Sequence, residues 1–390
     1  MTSFGGLGKG DPFAPTFVVK VAGTELDYGV TQFIEAVEYE SADGIADVAR
    51  IRAVNPNFII SDAKVFQPGN EMDVYMGYGD GDVKHIGRVV ISKQTPNFPQ
   101  EGMPTIQVVG YTKDSKMMDN EPEEPKKKGG KGGRLFKDMK FSDAVEERVG
   151  DYDMTPDVDP TTDAPHNFIQ RPGISDYEFV RGLSNITGYY FWVDGSDTGE
   201  WTLHFKEPGA LQDFQDKQFT FIYNQGDFSS LLAFTPELLI KGAVTKIAAV
   251  VKDVRTGAVY KAEVEEENNA SPDIDATGDV TGEVGGEVTS ASDIKLFIGD
   301  FSFNIISNRR FRSNAEVIAW AQQWFRRHRE NFVLSRGRTI GTTEVRARQI
   351  HLLGGVGDTF EGEYYFTKVK HICSKSQGYV IDFAARKVVP

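Results

Sequence analysis

The sequence predicts a β-rich α+β fold: two small antiparallel β-barrel-like domains, an intervening helical region, and long flexible insertions. Three observations carry this. Forty glycines, 27 phenylalanines and 14 tyrosines in 390 residues favour short strands joined by tight turns. Apolar and polar residues alternate with period two in the first hundred residues, as in Met72-Asp73-Val74-Tyr75-Met76. Capped segments of helical period interrupt the strands in two places. The expected organisation is a barrel domain over 1–113, a linker or flap over 114–134, a helical connection over 135–188, and a second barrel domain over 189–390.

The first domain reads as consecutive strands: Phe17 to Val21, Ile34 to Tyr39, Ala46 to Val54, Glu71 to Tyr78, His85 to Ser92 and Thr105 to Tyr111. Gly77 to Gly81, Pro96, Pro99 and Pro104 punctuate them, the pattern of a small barrel or sandwich. From Glu121 the chain becomes Pro/Glu-rich and then runs Lys126-Lys127-Lys128-Gly129-Gly130-Lys131-Gly132-Gly133, which cannot bury a core. We read it as a solvated flap.

Two helices follow. Ser142 can cap a short one ending before Gly150. Ser175 and Glu178 form a capping box for a second, whose apolar stripe is Tyr177, Val180, Leu183 and Ile186 or Thr187, with Gly188 as its stop. Tyr189 to Val193 is then a continuous strand, paired with Trp201 to Phe205 across the turn Asp194 to Gly199.

Further strands are expected over about 218–254 and again from about 338. Between them the composition shifts twice. An insertion at about 255–300 holds 11 acidic residues against Lys295 from Glu263 to Asp300, and reads as a mobile loop. From Arg309 to Arg348 there are ten arginines, no lysine and three acids. A helix over about 314–331 sits inside that stretch, capped by Ser313 and Glu316, with Val317, Trp320, Ala321, Trp324 and His328 as its apolar face. Arginine without lysine suits planar, bidentate pairing with carboxylates. Arg309, Arg310, Arg312, Arg326, Arg327 and Arg329 are therefore the candidate partner-interface residues, a solvated helix face being the competing reading.

Composition excludes several function classes. Forty-three basic against 57 acidic residues give a net charge of −14, the wrong sign for a general nucleic-acid binder. A lone cysteine, Cys373, excludes an intrachain disulfide framework and a cysteine-only zinc site. No apolar run reaches the length of a membrane span, and Met1 to Pro15 lacks the apolar core of a signal peptide. The six histidines form neither HExxH nor a zinc-spaced set; His351 and His371, on what read as adjacent strands, are taken as structural. There is no G-x-S-x-G elbow, and no glycine run has the phosphate-binding spacing. Asp273 to Val284 follows a calcium loop only to its ninth position, because Glu283 falls one residue early. No catalytic residue, cofactor or metal is assigned.

With these residues in view, the chain resembles the phage late control protein D family, tail baseplate hub proteins related to the hub half of the VgrG spike proteins. Three stretches carry the likeness. The first has a Val/Ile pattern around Asp47, then Val74-Tyr75-Met76-Gly77-Tyr78 and His85-Ile86-Gly87-Arg88-Val89. The second runs from Phe168-Ile169-Gln170 into Ser175-Asp176-Tyr177-Glu178-Phe179-Val180 and on to Gly188-Tyr189-Tyr190-Phe191. The third holds Gly357, Phe360, Gly362, Tyr364, Tyr365, Val369, His371, Tyr379 and Phe383.

The resemblance implies a homotrimer in which each copy contributes two similar barrels. Six barrels would match the sixfold tail tube above, and the threefold axis the spike below. Other baseplate proteins are further expected partners, and the place of action is the virion baseplate after synthesis in the host cytoplasm. Nothing after Pro390 reads as a needle, so a separate spike protein is expected. An acidic lumen would let DNA pass without specific binding, a hypothesis drawn from net charge. Two other classes stay open: a tail-associated peptidoglycan hydrolase, and a carbohydrate-binding receptor module.

Overall fold

The computed structural model describes residues 14–62, 64–79, 82–119, 133–161, 163, 165–207, 218–224, 229–239, 246–252, 259–265, 302–307 and 333–388. The Lys/Gly run, most of the acidic insertion with its calcium-like loop, the expected helix at 314–331 and the six candidate arginines lie outside the described residues.

The elements in chain order are β1 (Pro15–Val21), β2 (Thr24–Glu25), α1 (Tyr28–Thr31), β3 (Ile34–Ala42), β4 (Val48–Val54), α2 (Ile59–Asp62), β5 (Glu71–Tyr78), β6 (Asp82–Asn97), β7 (Thr105–Tyr111) and α3 (Ser115–Asp119). Next come β8 (Arg134–Met139), α4 (Phe141–Val149), β9 (Thr155–Val158), β10 (His166–Gln170), α5 (Asp176–Thr187), β11 (Tyr190–Gly195) and β12 (Trp201–Lys206). The remainder are β13 (Thr220–Ile222), β14 (Leu231–Leu238), β15 (Lys246–Lys252), β16 (Val259–Glu265), β17 (Ser302–Ser307), β18 (Val333–Ile340), β19 (Ile350–Gly354), β20 (Gly362–Ser374) and β21 (Gly378–Lys387). The chain is β-rich, as its composition predicts.

By packing, the chain divides into two units. The first comprises 1–217, 338–349 and 366–383; the second 218–337, 350–365 and 384–390. In the first unit an antiparallel sheet runs β20–β3–β4–β7–β6–β5–β1–β2. Among the described residues no strand pairing closes this sheet into a barrel. Bulges between Ile34 and Ala36, Val74 and Tyr75, and Ile91 and Lys93 re-aim side chains along it. Its inner face buries Val19, Val37, Ile51, Met72, Val74, Met76, Val89 and Val108. Each such side chain contributes roughly 1.5–3 kcal/mol by leaving water. The outward positions of β3 carry Glu38 and Glu40, which pair diagonally with Arg50 and Arg52 on β4 and with Lys368 and Lys370 on β20. That face is a ladder of two acids set among four bases.

The alternation read in Met72 to Met76 fails at one place. Asp73 is buried, not outward. A second sheet, β11, β12 and the parallel-paired β9, meets that side through β11 and β12: Gly195 lies against the Arg88 side chain and Trp201 Nε1 donates to Glu71 at 2.9 Å. These strands share a core with α4, α5 and the two-stranded ribbon β8–β10: Phe136, Val145, Val149, Phe179, Val180, Leu183, Phe191, Leu203 and Phe205.

The helix ends follow local chemistry. Ser175 Oγ accepts from Glu178 N and the Glu178 carboxylate from Ser175 N, the reciprocal cap the spacing predicts. Gly188 closes α5 at φ 81°, a left-handed value that glycine adopts without strain. Ser142, expected as a cap, lies inside α4 instead. The cap falls two residues earlier, at Lys140, whose backbone N–H donates to the Asp143 carboxylate at 3.2 Å.

In the second unit β13 pairs parallel with β19, and the first residues of β20 pair antiparallel with β19. A separate three-stranded sheet has the order β16–β15–β17. His351 on β19 is buried between Phe219 and Phe221, and its Nδ1 accepts from Phe219 N at 3.3 Å. Burial pushes its pKa down to about 3, so it is a neutral core histidine, as the sequence reading takes it to be.

Candidate functional site

Three of the described arginines from the basic stretch fall in the first unit, and all act within the chain. Arg338 forks onto Asp382, Nε to Oδ1 at 2.6 Å and Nη2 to Oδ2 at 3.0 Å. This is the bidentate geometry expected of an interface arginine, used here inside one subunit. Arg346 donates to three backbone carbonyls, those of Thr343, Val345 and His85. Arg348 donates to Ala42 O at 3.2 Å and lies over the Trp192 ring at 4.9 Å from its centre.

The last two line a polar cavity of about 280 Å³ in the first unit. Strand β3 supplies Tyr39 and Ser41, the turn before β4 Asp47, β6 His85 and Gly87, β11 Trp192 and Asp194, and β12 His204. The Tyr39 ring lies flat on β6 only because residue 87 is glycine: a Cβ there would sit 2.2 Å from the ring. Tyr39 OH donates to Asp47 Oδ2 at 3.2 Å. Asp47 N donates to Thr112 Oγ1 at 2.8 Å.

Burial pushes the Asp47 carboxyl up to about 8, against the pull of the Arg348 guanidinium, so it holds a proton at neutral pH. Burial likewise lifts Asp114 to about 6. Strands β11 and β12 bring further polar groups to the cavity. Trp192 Nε1 donates to Asp194 Oδ2 at 2.7 Å, and His204 stacks on the indole at 4.7 Å. His204 Nδ1 meets Asp157 Oδ2 at 2.7 Å, and Lys206 Nζ reaches Asp157 at 2.6 Å and Asp159 at 2.9 Å. Burial alone would raise Asp157, but the hydrogen bonds and charges of Lys206 and His204 hold it below its ordinary value.

These hydrogen bonds and ion pairs join elements to one another, β3 to the turn before β4 and β12 to β9. The indole that a sugar would stack on carries His204 and Arg348 against it. Cys373 is buried, and burial pushes its thiol up to about 12, far from a reactive thiolate. Among the described residues no three His, Cys, Asp or Glu side chains are placed to hold a metal ion. Among them, too, no helix is long and apolar enough to cross a membrane.

His371, read with His351 as structural, sits in the first unit. A carbonyl can only accept, so Nε2–H donates to Val345 O at 2.8 Å, and Nδ1 accepts from Tyr379 OH at 2.8 Å. Burial pushes its pKa to about 3. Several residues that carry the family resemblance therefore serve the packing: Gly87 receives Tyr39, Arg88 and His85 hold Asp73, and His371 locks Tyr379. The sequence reading missed the cavity because its walls come from positions about 300 residues apart. The one available signal was the quoted pair of Asp47 and the His85–Arg88 run.

Several large apolar side chains are exposed. Phe58, Ile59, Phe98 and Met103 are 47%, 43%, 60% and 67% exposed, and Phe58 meets Phe98 edge to face at 5.8 Å. Leu135 and Ile169, opposite one another on β8 and β10, are exposed as well.

A family model described as the Alg8 N-terminal domain matches residues 15–375. The chain belongs to that family. No curated protein matches the chain. Solved structures match it end to end. A tail protein from Neisseria meningitidis MC58 superposes with a TM-score of 0.65 at 11% identity, over 96% of this chain and 97% of that one. The 43 kDa tail protein of prophage MuSo2 from Shewanella oneidensis gives 0.64 at 10% identity, over 96% and 98%. The E. coli c3393 protein, a component of the type VI secretion system, gives 0.56 at 10% identity, over 95% and 76%. The chain thus has the fold of these proteins.

Proposed function

We propose that the chain is a structural subunit of a phage-type tail. More finely, it is a late control protein D-like hub, three copies of which couple the sixfold tube to the threefold spike within the baseplate. The observation that carries the reading is the likeness of fold to two tail proteins, one of them from a prophage, over nearly the whole of both chains. The polar cavity agrees with it, because its groups are spent on one another and fasten strands together. In this reading each copy supplies two barrel-like modules to a ring. The tube, the spike and other baseplate proteins are its partners, and an acidic lumen passes DNA without specific contact. Electron microscopy of the purified chain tests it: threefold particles are expected, and a population of single copies overturns it.

A second reading, a cell-wall hydrolase, has one observation in its favour. A protonated Asp47 shares a cavity with a second carboxylate, Asp194, the pairing that glycoside hydrolysis uses. Zymography on peptidoglycan separates the two. A lytic band that vanishes in Asp47→Asn supports the enzyme; no band in the native chain supports the hub.

A further inference from the structure

We propose that two exposed apolar patches of the first unit are the two halves of one head-to-tail contact between copies of this chain. This rests on the multi-copy reading above and names the surfaces that would build it.

The first patch is built, not incidental. Asn57 and Phe58 both have left-handed backbones, φ 51° and 64°, and a bulky aromatic residue rarely adopts that region. Buried Asn55 enforces the turn: its Oδ1 accepts from Ile60 N at 2.9 Å and Ser61 N at 3.3 Å, and its Nδ2 donates to Ser61 Oγ at 3.0 Å. Asn55 N also donates to Pro104 O at 2.7 Å, tying this turn to the β6–β7 hairpin that carries Phe98 and Met103. The strain therefore holds a phenyl ring outward, half exposed, where burial cannot repay it. The described charged side chains on the turns 56–62 and 97–104 are Asp62 and Glu101, both acidic and both exposed.

The second patch has the opposite rim. The ribbon β8–β10 packs one face inward, Phe136 stacking on Phe168 and Phe179 at 5.1 Å each. Its other face carries Leu135 opposite Ile169, both about half exposed, at 53% and 49%. Exposed Lys137, Asp138 and Arg171 flank them, a rim with a net positive charge, and the Asp138 backbone N–H donates to Asn167 Oδ1 at 2.9 Å.

An acid-rimmed and a base-rimmed apolar patch on one chain suit each other, and neither suits itself. Because the two are different surfaces, each copy would use one on its left neighbour and the other on its right. Contacts of that kind close into rings, whereas a self-complementary patch stops at a dimer.

Sedimentation velocity on the full chain tests this. Phe58→Asp with Phe98→Asp, and separately Leu135→Asp with Ile169→Asp, should each leave single copies. An equimolar mixture of the two should form dimers and nothing larger, since only one intact junction is possible. Surface charge variants guard against misfolding. Asp62→Lys with Glu101→Lys, or Lys137→Glu with Arg171→Glu, should each weaken self-association about tenfold, and all four in one chain should restore it. If the native chain forms its ring and every variant does too, the inference fails and the hub reading stands. If the native chain is a single copy, both fail.

Discussion

Arg88 holds Asp73 in a two-pronged grip, Nε to Oδ1 at 2.7 Å and Nη2 to Oδ2 at 2.8 Å, directly across the β5–β6 pairing. Both side chains are buried, and His85 Nε2 adds a third contact to Asp73 at 3.1 Å. Hydrogen bonding to Asp73 raises the Arg88 pKa. Burial would raise Asp73, but the bonds and charges of His85 and Arg88 hold it below the usual carboxylate range. Removing one partner strands a buried charge. Arg88→Met should therefore cost about 3–5 kcal/mol in urea unfolding, and Arg88→Met with Asp73→Asn should recover a substantial part of it.

Asp47 makes stability fall with rising pH. Its folded pKa of about 8 lies above the unfolded value of about 3.9, so the folded chain keeps a proton that the unfolded chain releases. The stabilisation of the neutral acid is complete below about pH 4 and is lost as pH climbs through about 8. Asp47→Asn mimics the protonated group. It should be more stable than the native chain at pH 8.5 by about 1 kcal/mol or more, with a smaller difference at pH 5. A constant offset across that range would contradict the assignment.

The buried histidines work the other way. With folded pKa values of about 3, His371 and His351 stay neutral while unfolded chains take up protons below about 6.5. Their contribution is present above about pH 6.5 and disappears as pH falls toward 3. Nitrogen chemical shifts of His371 should show one neutral tautomer, protonated on Nε2, throughout pH 5 to 8. Titration near 6.5 would contradict the burial. Tyr379→Phe removes the donor to Nδ1 and should cost about 1–2 kcal/mol.

Two glycines give opposite expectations for the same change. A Cβ at Gly341 would lie 2.2 Å from the Tyr379 ring, which His371 holds in place. Gly341→Ala should lower stability by about 1–3 kcal/mol or more. Gly182, within α5, has nothing within 4 Å of its added Cβ, so Gly182→Ala should raise stability by about 0.5–1 kcal/mol. Thermal unfolding of the two variants checks both signs.

The strands of the first hundred residues and the cap of α5 were legible because local pattern decides them. Period two fixes β3 to β7, and Ser175 with Glu178 needs no distant partner. What escaped was every feature set by a second layer. Asp73 reads as an outward acid until β11 and β12 meet that side of the sheet and Arg88 pairs with it. Arg338, Arg346 and Arg348, in the same basic stretch but not among the six interface candidates, have partners within the chain that no local pattern announces, in Asp382, His85 and Ala42. At the Phe58 turn, Asn55-Pro56-Asn57 signals a turn, but nothing in the sequence signals that Phe58 takes the second left-handed position.

The assembly role stands or falls on copy number. Sedimentation equilibrium of the full chain at micromolar concentration, with symmetry read from electron micrographs of the same sample, measures it. A mass of three chains with threefold particles is the expected result. A single-copy mass that persists as concentration rises would contradict it.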